Sequence, residues 1–229
     1  MQSIPLLSRF GEAVFDCREG TNDQSAAQSC FVEDEYGVID LGLKPGAVAI
    51  DIGAHIGGVT LLLARMGLEV YAYEPVRENY ALLWTNVTRN GCNRQVHCFK
   101  EAVGDKKGTA RIFLHPQDVC HHYIGDLYAN TDESQAVDMV GLNDVFLENG
   151  IARCSLLKID AEGAEFPILS GASEDTLRRI DFIYGEYHTV RAPVKTRALL
   201  LAETRGLFED VTEGPDVEGL GHFRFKRRL

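Results

Sequence analysis

Apolar positions along the 229-residue chain alternate between two periods. In "VAIDIGAHIGG", residues 48–58, Val48, Ile50 and Ile52 lead into Gly53 and Gly57, the pattern of a buried strand running into a tight turn. From Gly57 to Met66, the residues Val59, Leu62, Leu63 and Met66 stand at i, i+3, i+4 and i+7, one face of a helix. "EVYAYEP" predicts the next strand. "RENYALLWTNVTRNG" predicts a helix with Tyr80, Leu83, Trp84 and Val87 on one face and Gly91 as its stop. "QVHCFKEAVG" predicts a third strand, and "GTARIFLH" and "AVDMVGL" are strand-like pieces flanking a polar loop over 115–135. "CSLLKIDAEG" is an apolar strand ending in acids. "EFPILSGA" and "EDTLRR" predict short helices, "IDFIYGEYH" a strand, and "VKTRALLLAETRG" a helix with a glycine stop. The tail alternates around Phe223 and Phe225 and can close the sheet as an antiparallel strand. Strands alternating with helices imply an α/β fold, with a mostly parallel central sheet and helices on both faces.

Residues 1–45 read differently. Two β-like pieces, "EAVFDC" and "SCFVE", surround the polar loop "REGTNDQSAAQ", and Pro45-Gly46 then introduces the first strand of the repeat. This divides the chain into an N-terminal extension, 1–45, packing on the core, and a Rossmann-like domain over 46–229 with an inserted loop at 115–135. At 45% hydrophobic and 25% charged residues, the composition is that of a soluble globular protein. A net charge of −11 argues against a broad phosphate-tracking surface, so no nucleic-acid partner is expected and Lys226, Arg227 and Arg228 read as a solvated tail. No apolar stretch reaches the ~18 residues of a membrane span. The start "MQSIPLLSRF" lacks the basic and apolar regions of a signal peptide. Six scattered cysteines without a C-x-x-C pair suit a reduced compartment. A cytoplasmic location without membrane attachment is the expectation.

The glycine corner narrows the ligand. Asp51-x-Gly53-x-x-x-Gly57 is neither the G-x-G-x-x-G of a dinucleotide site nor a P-loop. Without those phosphate cradles it suits a nucleoside ligand that has no pyrophosphate, such as S-adenosylmethionine. Gly53 would let the backbone approach the methionine and ribose portion, Gly57 would allow tight packing at the helix start, and Asp51 would orient the loop or the ligand's amino group. Glu74 ends the second strand about twenty residues on, where a carboxylate accepts from both ribose hydroxyls; it would serve NAD equally. Two further strand ends face the same crevice. "FKEAVGD" offers Glu101, Ala102 and Val103 near an adenine ring, with core packing as the other reading of Ala102 and Val103. "KIDAEGAE" offers Asp160, Glu162 and Glu165. Buried carboxylates are costly unless they are paired or lie in a cleft, so Asp160 and Glu162 read as functional. Glu165 reads as the favourable first-turn acid of the next helix.

Together, "REGTNDQS", "VAIDIGAHIGG", "AYEPVRENY", "EAVGDKKG", "LLKIDAEGAEFPILSGA" and "IYGEYH" resemble the FkbM-type family of S-adenosylmethionine-dependent methyltransferases, in that family's order, from about Arg18 to His188. "KIDAEGAE" is the most specific of these blocks. His55 departs from the family, which usually has asparagine there. The resemblance implies a class I Rossmann-like methyltransferase fold and O-methylation of sugar or natural-product hydroxyls, and it places Ala54 and His55 in the methionine-binding loop.

Methyl transfer is an in-line displacement that mainly requires alignment, helped for a hydroxyl acceptor by a general base or a metal. Asp160, Glu162, Glu186 and His188 are the candidates at the strand mouths, and Glu186 and His188 share a strand face. The acids could hold Mg²⁺ as oxygen ligands or act without it. In the loop "HPQDVCHHYIGD", the residues His115, Asp118, Cys120, His121 and His122 lack the usual zinc spacings. A wall of the pocket for a small-molecule acceptor with a hydroxyl group is the preferred reading of that loop. Two alternatives remain: a nucleic-acid methyltransferase, which the charge and the missing Asn/Asp-Pro-Pro-aromatic motif disfavour, and a non-catalytic nucleoside-binding module. A homo-oligomer stays open.

Overall fold

The structure, a computed structural model, describes residues 1–113, 123–124, 134–188 and 195–228. In chain order the elements are β1 (Gln2–Ser8), β2 (Gly11–Cys17), α1 (Asp23–Phe31), β3 (Val48–Ile52), α2 (Gly58–Arg65), β4 (Glu69–Tyr73), α3 (Arg77–Arg89) and β5 (Val96–Phe99). There follow β6 (Ala102–Gly104), β7 (Gly108–Phe113), β8 (Tyr123–Ile124), β9 (Ser134–Gly141), α4 (Leu142–Glu148) and β10 (Cys154–Ile159). The chain continues through α5 (Glu165–Gly171), α6 (Glu174–Arg178), β11 (Ile180–His188), α7 (Arg197–Ala202), β12 (Phe208–Asp210) and β13 (Leu220–Arg227). The main sheet runs β12-β13-β11-β10-β3-β4-β5. β11, β10, β3, β4 and β5 are parallel, and β13 is antiparallel to both its neighbours.

The two periods in the sequence explain the layers. Along β4, Val70 and Ala72 enter the core cluster that holds Leu62, Leu83, Phe15 and Phe31, whereas Tyr71 and Tyr73 enter the opposite cluster with Ile50, Ile52, Leu157, Ile168 and Phe223. A strand buried on both faces needs apolar residues on both, which is why these segments read as near-continuous apolar runs. Their C-terminal ends finish along one edge of the sheet. There β6, β9, β7 and β8 form a second, four-stranded sheet.

Several expectations are corrected. Ser29, Cys30 and Phe31 of "SCFVE" and much of the polar loop before it form α1, not a strand. Ala27 and Phe31 are buried on its inner side, and its Cys30 Cβ lies where a Cβ on Gly58 of α2 would come within 2.7 Å. Close packing of two helices, invisible to periodicity, decides that segment. β1 was not anticipated; it pairs with β2 along its whole length. "QVHCFKEAVG" splits between sheets as β5 and β6, and α4 follows β9 directly, with Asp144 accepting from the Gly141 N–H at 3.0 Å. Trp84 is half exposed. The inner face of α3 carries Asn79 and Asn86 in its place, and Asn86 ties the helix to β2 and the α2 turn through Asp16 N (2.7 Å) and Ile56 O (2.9 Å). His115, Asp118, Cys120, His121 and His122 lie outside the described residues. Among the described residues, Cys17, Cys30, Cys92, Cys98 and Cys154 are free thiols, and no helix is long and apolar enough to cross a membrane.

Candidate functional site

A cavity of about 320 Å³ opens across the C-terminal ends of β3, β4, β10 and β11, the edge where open α/β sheets take ligands. Its first end is built by backbone. Gly53 has φ +76°, and a Cβ there would sit 1.7 Å from the Asp160 carbonyl oxygen, so only glycine lets β3 and β10 approach this closely. Gly53 N and Ala54 N both donate to Tyr73 O, at 3.0 and 3.1 Å. His55 follows with φ +50°, an uncommon value for a side-chain-bearing residue. Its N–H donates to Glu74 Oε2 at 2.9 Å, while Val76 N donates to Glu74 Oε1 at 2.9 Å. Glu74 is thereby held against the cavity wall. Burial pushes its carboxyl above the usual range, and His55 and the two N–H bonds oppose that. His55 Nε2 lies 3.3 Å from Asp23 Oδ1.

Ala54, His55, Glu74, Glu101, Ala102 and Val103 all line the cavity. Ala102 and Val103 are also buried in core clusters, so wall and packing coincide there. Asp51 and Gly57 stand behind the wall. Asp51 is fully buried, accepts from Thr60 Oγ1 at 2.6 Å and pairs with Lys158 Nζ at 3.2 Å. Gly57, φ +98°, caps α2 where a Cβ would press on Leu83 Cδ1 at 2.9 Å. Lys158 joins the site from outside the sequence-predicted set. Its ammonium donates to Gly53 O at 2.8 Å and to Ile52 O at 3.3 Å, and so props the glycine turn from beneath. Its signal was a lysine inside an apolar strand, which needs a buried partner.

The second end is built by side chains. Asp160, Glu162 and Glu186 line the cavity, and Tyr36 donates its hydroxyl to Asp160 Oδ2 at 2.8 Å. His188 sits behind them, with Nε2 3.6 Å from Glu162 and 3.7 Å from Glu186. Glu165 overturns its reading as a simple first-turn acid: it is fully buried and lies 3.1 Å from His188 Nδ1. Burial, reinforced by the Asp160 charge, pushes both the Glu162 and Glu186 carboxyls up, and His188 opposes this. Burial alone would lower His188, but the Glu165 bond and the surrounding acids raise it to about 10. Glu162 has φ +49°, strain of the kind that clusters at ligand sites.

The remaining wall comes from the N-terminal segment, where Ser25, Ser29 and Cys30 of α1, with Glu35 and Tyr36, face the cavity. These residues carry no local signal in the sequence, because α1 owes its buried face to packing on α2. As for Mg²⁺, the donor set does not fit it. The imidazole of His188 already stands between Glu162 and Glu186, and Asp160 is engaged by Tyr36 and lies 3.9 Å from Lys158.

The cavity's main features lie within a recognisable stretch of chain. The family model for the Methyltransferase FkbM domain matches residues 51–210. The chain is 30% identical over 211 residues to the 31-O-demethyl-FK506 methyltransferase FkbM of Streptomyces tacrolimicus, covering 79% of this chain and 76% of that one. It is 26% identical over 168 residues to the 2-O-methyltransferase NoeI of Sinorhizobium fredii, covering 66% and 67%. Among solved structures it overlays on the N-terminal domain of EvdMO1 with SAH bound, with a TM-score of 0.47, 14% identity, and 93% and 82% of the two chains covered. Asp51, Gly53, Glu74, Asp160, Glu162, Glu186 and His188 fall inside the matched stretch, whereas Tyr36 and α1 precede it, and the chain belongs to the FkbM methyltransferase family.

Proposed function

We propose that the protein is an S-adenosylmethionine-dependent O-methyltransferase acting on a hydroxyl of a small molecule, a sugar or natural product. The observation that carries this reading is the single cavity with Glu74 at one end and Asp160, Glu162 and Glu186 at the other. Gly53, without a Cβ, lets β3 and β10 close up beneath the cavity, and Glu74 keeps lone pairs free for two ribose hydroxyls. Glu101, Ala102 and Val103 would flank the adenine.

When bound, S-adenosylmethionine would supply a methyl group from its sulfonium, the thioether keeping the C–S bonding pair as the acceptor oxygen gains the C–O bond, and the hydroxyl proton would leave to a carboxylate. The chain contributes alignment and that carboxylate. Glu186 is suited to the second task because burial and Asp160 lift it from the carboxylate range toward neutrality, where a general base works best. The relatives named for 31-O- and 2-O-methyl chemistry support hydroxyl transfer. A wall of acids supports a neutral or cationic acceptor over a polyanion, in line with the net charge of −11.

Calorimetric titration with S-adenosylmethionine and S-adenosylhomocysteine tests the reading. Binding is expected in the wild type, weakened about 10- to 100-fold in Glu74→Ala, the loss of one or two charge-assisted hydrogen bonds. Equal affinity in both proteins would remove Glu74 from the site, and no binding in either would remove the reading.

A further inference from the structure

Glu165 is a fully buried acid beside the cavity, and it does not reach the cavity wall. Among the described residues, its carboxyl accepts hydrogen bonds from the backbone on both oxygens. Oε1 receives Ala161 N at 3.0 Å and Gly163 N at 3.1 Å, and Oε2 receives Gly163 N at 3.1 Å and His188 N at 3.3 Å. The remaining neighbour is the His188 ring, with Nδ1 3.1 Å from Oε1. A carboxylate in that setting is an acceptor, so the ring atom facing it is an N–H. Fixing the proton at Nδ1 fixes the ring plane as well.

The ring's other edge then has one direction to face. Nε2 points to Glu162 Oε2 at 3.6 Å and Glu186 Oε2 at 3.7 Å, both on the cavity wall. Glu186 is steadied from its far side by His222 Nε2, 3.1 Å from Oε1. Sequence spacing brings these groups from separate places: Glu162 and Glu165 from the turn into α5, Glu186 and His188 from β11, and His222 from β13.

We infer that Glu165 and His188 are a positioning pair, in which Glu165 holds the Nδ1–H of His188 and so aims Nε2 at Glu162 and Glu186, keeping these two carboxylates placed to receive the proton of the acceptor hydroxyl. The inference rests on the methyl-transfer reading for its last step. Neither Glu165 nor His188 lines the cavity, so neither is expected to touch the acceptor. The proton balance is simple. The acceptor O–H bond breaks as the O–CH₃ bond forms, the proton moves to a wall carboxylate, and it then passes to solvent.

The test reads the ring directly and needs no acceptor. Nitrogen-15 NMR of the imidazoles, with His188→Gln used to assign the signal, is recorded across pH for wild type, Glu165→Gln and Glu186→Gln. Among the described residues, the charged groups facing His188 and its carboxylates are Asp160, Glu162, Glu165, Glu186, Glu35, Lys158 and His222. The wild-type ring is expected to carry a slowly exchanging Nδ1–H and to titrate well above free histidine. In Glu165→Gln the midpoint is expected to fall by at least one pH unit and the Nδ1–H to exchange freely; in Glu186→Gln the midpoint falls while the Nδ1–H persists. A wild-type ring protonated only at Nε2, or a midpoint unmoved by Glu165→Gln, would overturn the pair. Should Glu165→Gln not fold, Glu165→Asp serves: it keeps the charge but withdraws the carboxylate, and the Nδ1–H must again be lost.

Cofactor titration separates the two levels. Glu165→Gln is expected to bind S-adenosylmethionine within about twofold of wild type. A wild type that binds none defeats the methyl-transfer reading, whereas the ring signals decide the pair. With the hydroxyl acceptor turned over fastest in a panel of sugars and polyketide alcohols, Glu165→Gln is expected to lower kcat tenfold or more with KM within twofold. A change confined to KM would make the pair structural only.

Discussion

The two ends of the cavity are made from different materials. At the β3–β4 corner, cavity-facing geometry comes from the main chain: Gly53 and His55 at positive φ, paired N–H groups on Tyr73 O, and backbone donors on both oxygens of Glu74. At the β10–β11 mouth it comes from side chains, with Tyr36 on Asp160 and His188 among Glu162, Glu165 and Glu186. A site made of backbone is fixed once the strands pair. A site made of ionisable side chains holds its geometry only at certain protonation states, and its groups shift one another. The first material suits binding one invariant ligand, and the second suits moving a proton. Lys158 joins them, with its ammonium on the carbonyls of the glycine turn and its charge between Asp51 and Asp160.

The comparison is broken most severely at that joint. Lys158→Met leaves Asp51 buried without its counter-charge, and removing one partner of such a pair costs about 3–5 kcal/mol. Urea unfolding is expected to show that loss, and the variant is expected to lose cofactor affinity along with stability because the turn is no longer supported. Next comes Glu186→Gln, which confines the damage to the side-chain end. Turnover of a hydroxyl acceptor is expected to fall about a hundredfold, the lower range of general-base contributions, with cofactor affinity unchanged by calorimetry. If affinity falls as far as turnover, the two ends are not separable as drawn.

Proton linkage gives a smaller effect. His188 is raised in the folded protein from 6.5 to about 10, so its contribution is fully present below the unfolded value and is lost as pH rises through the folded one. Glu162 and Glu186, also raised, act with the same sign. The unfolding temperature is therefore expected to decline from pH 6.5 to 10 in a calorimetric series, and a flat or rising series would contradict the charge arrangement at this end. Smallest is Glu101→Gln, on the part of the wall proposed to flank the adenine. Partly exposed charges contribute little, so S-adenosylmethionine affinity is expected to change by less than about fivefold.

Legibility in the sequence follows the same division. The corner could be read because its determinants are local: strand, Asp51-x-Gly53-x-x-x-Gly57 turn and helix are contiguous, and Glu74 ends the very next strand. Asp160, Glu162, Glu186 and His188 were legible as acids and a histidine at strand ends, but not their arrangement. Glu165 looked like a helix-start acid because its partner, His188, is 23 positions away. Lys158 and Tyr36 escaped because each acts through residues distant in the chain. Segment 23–31 reads as loop and strand because α1 owes its inner face to α2, not to its own periodicity.

The sequence by itself determined the α/β order of elements, the parallel core strands, the glycine corner and the family, since each is written in residues close to one another along the chain. Tertiary structure alone decided that Glu165 is buried, that His188 stands behind the wall with its ring edge toward Glu162 and Glu186, that Lys158 supports the turn, and that α1 completes the cavity. These are decided by pairing between β3, β10 and β11 and by helix packing at Gly58, contacts whose geometry depends on how close two backbones come. Periodicity shows which face of an element is buried; it does not show against what.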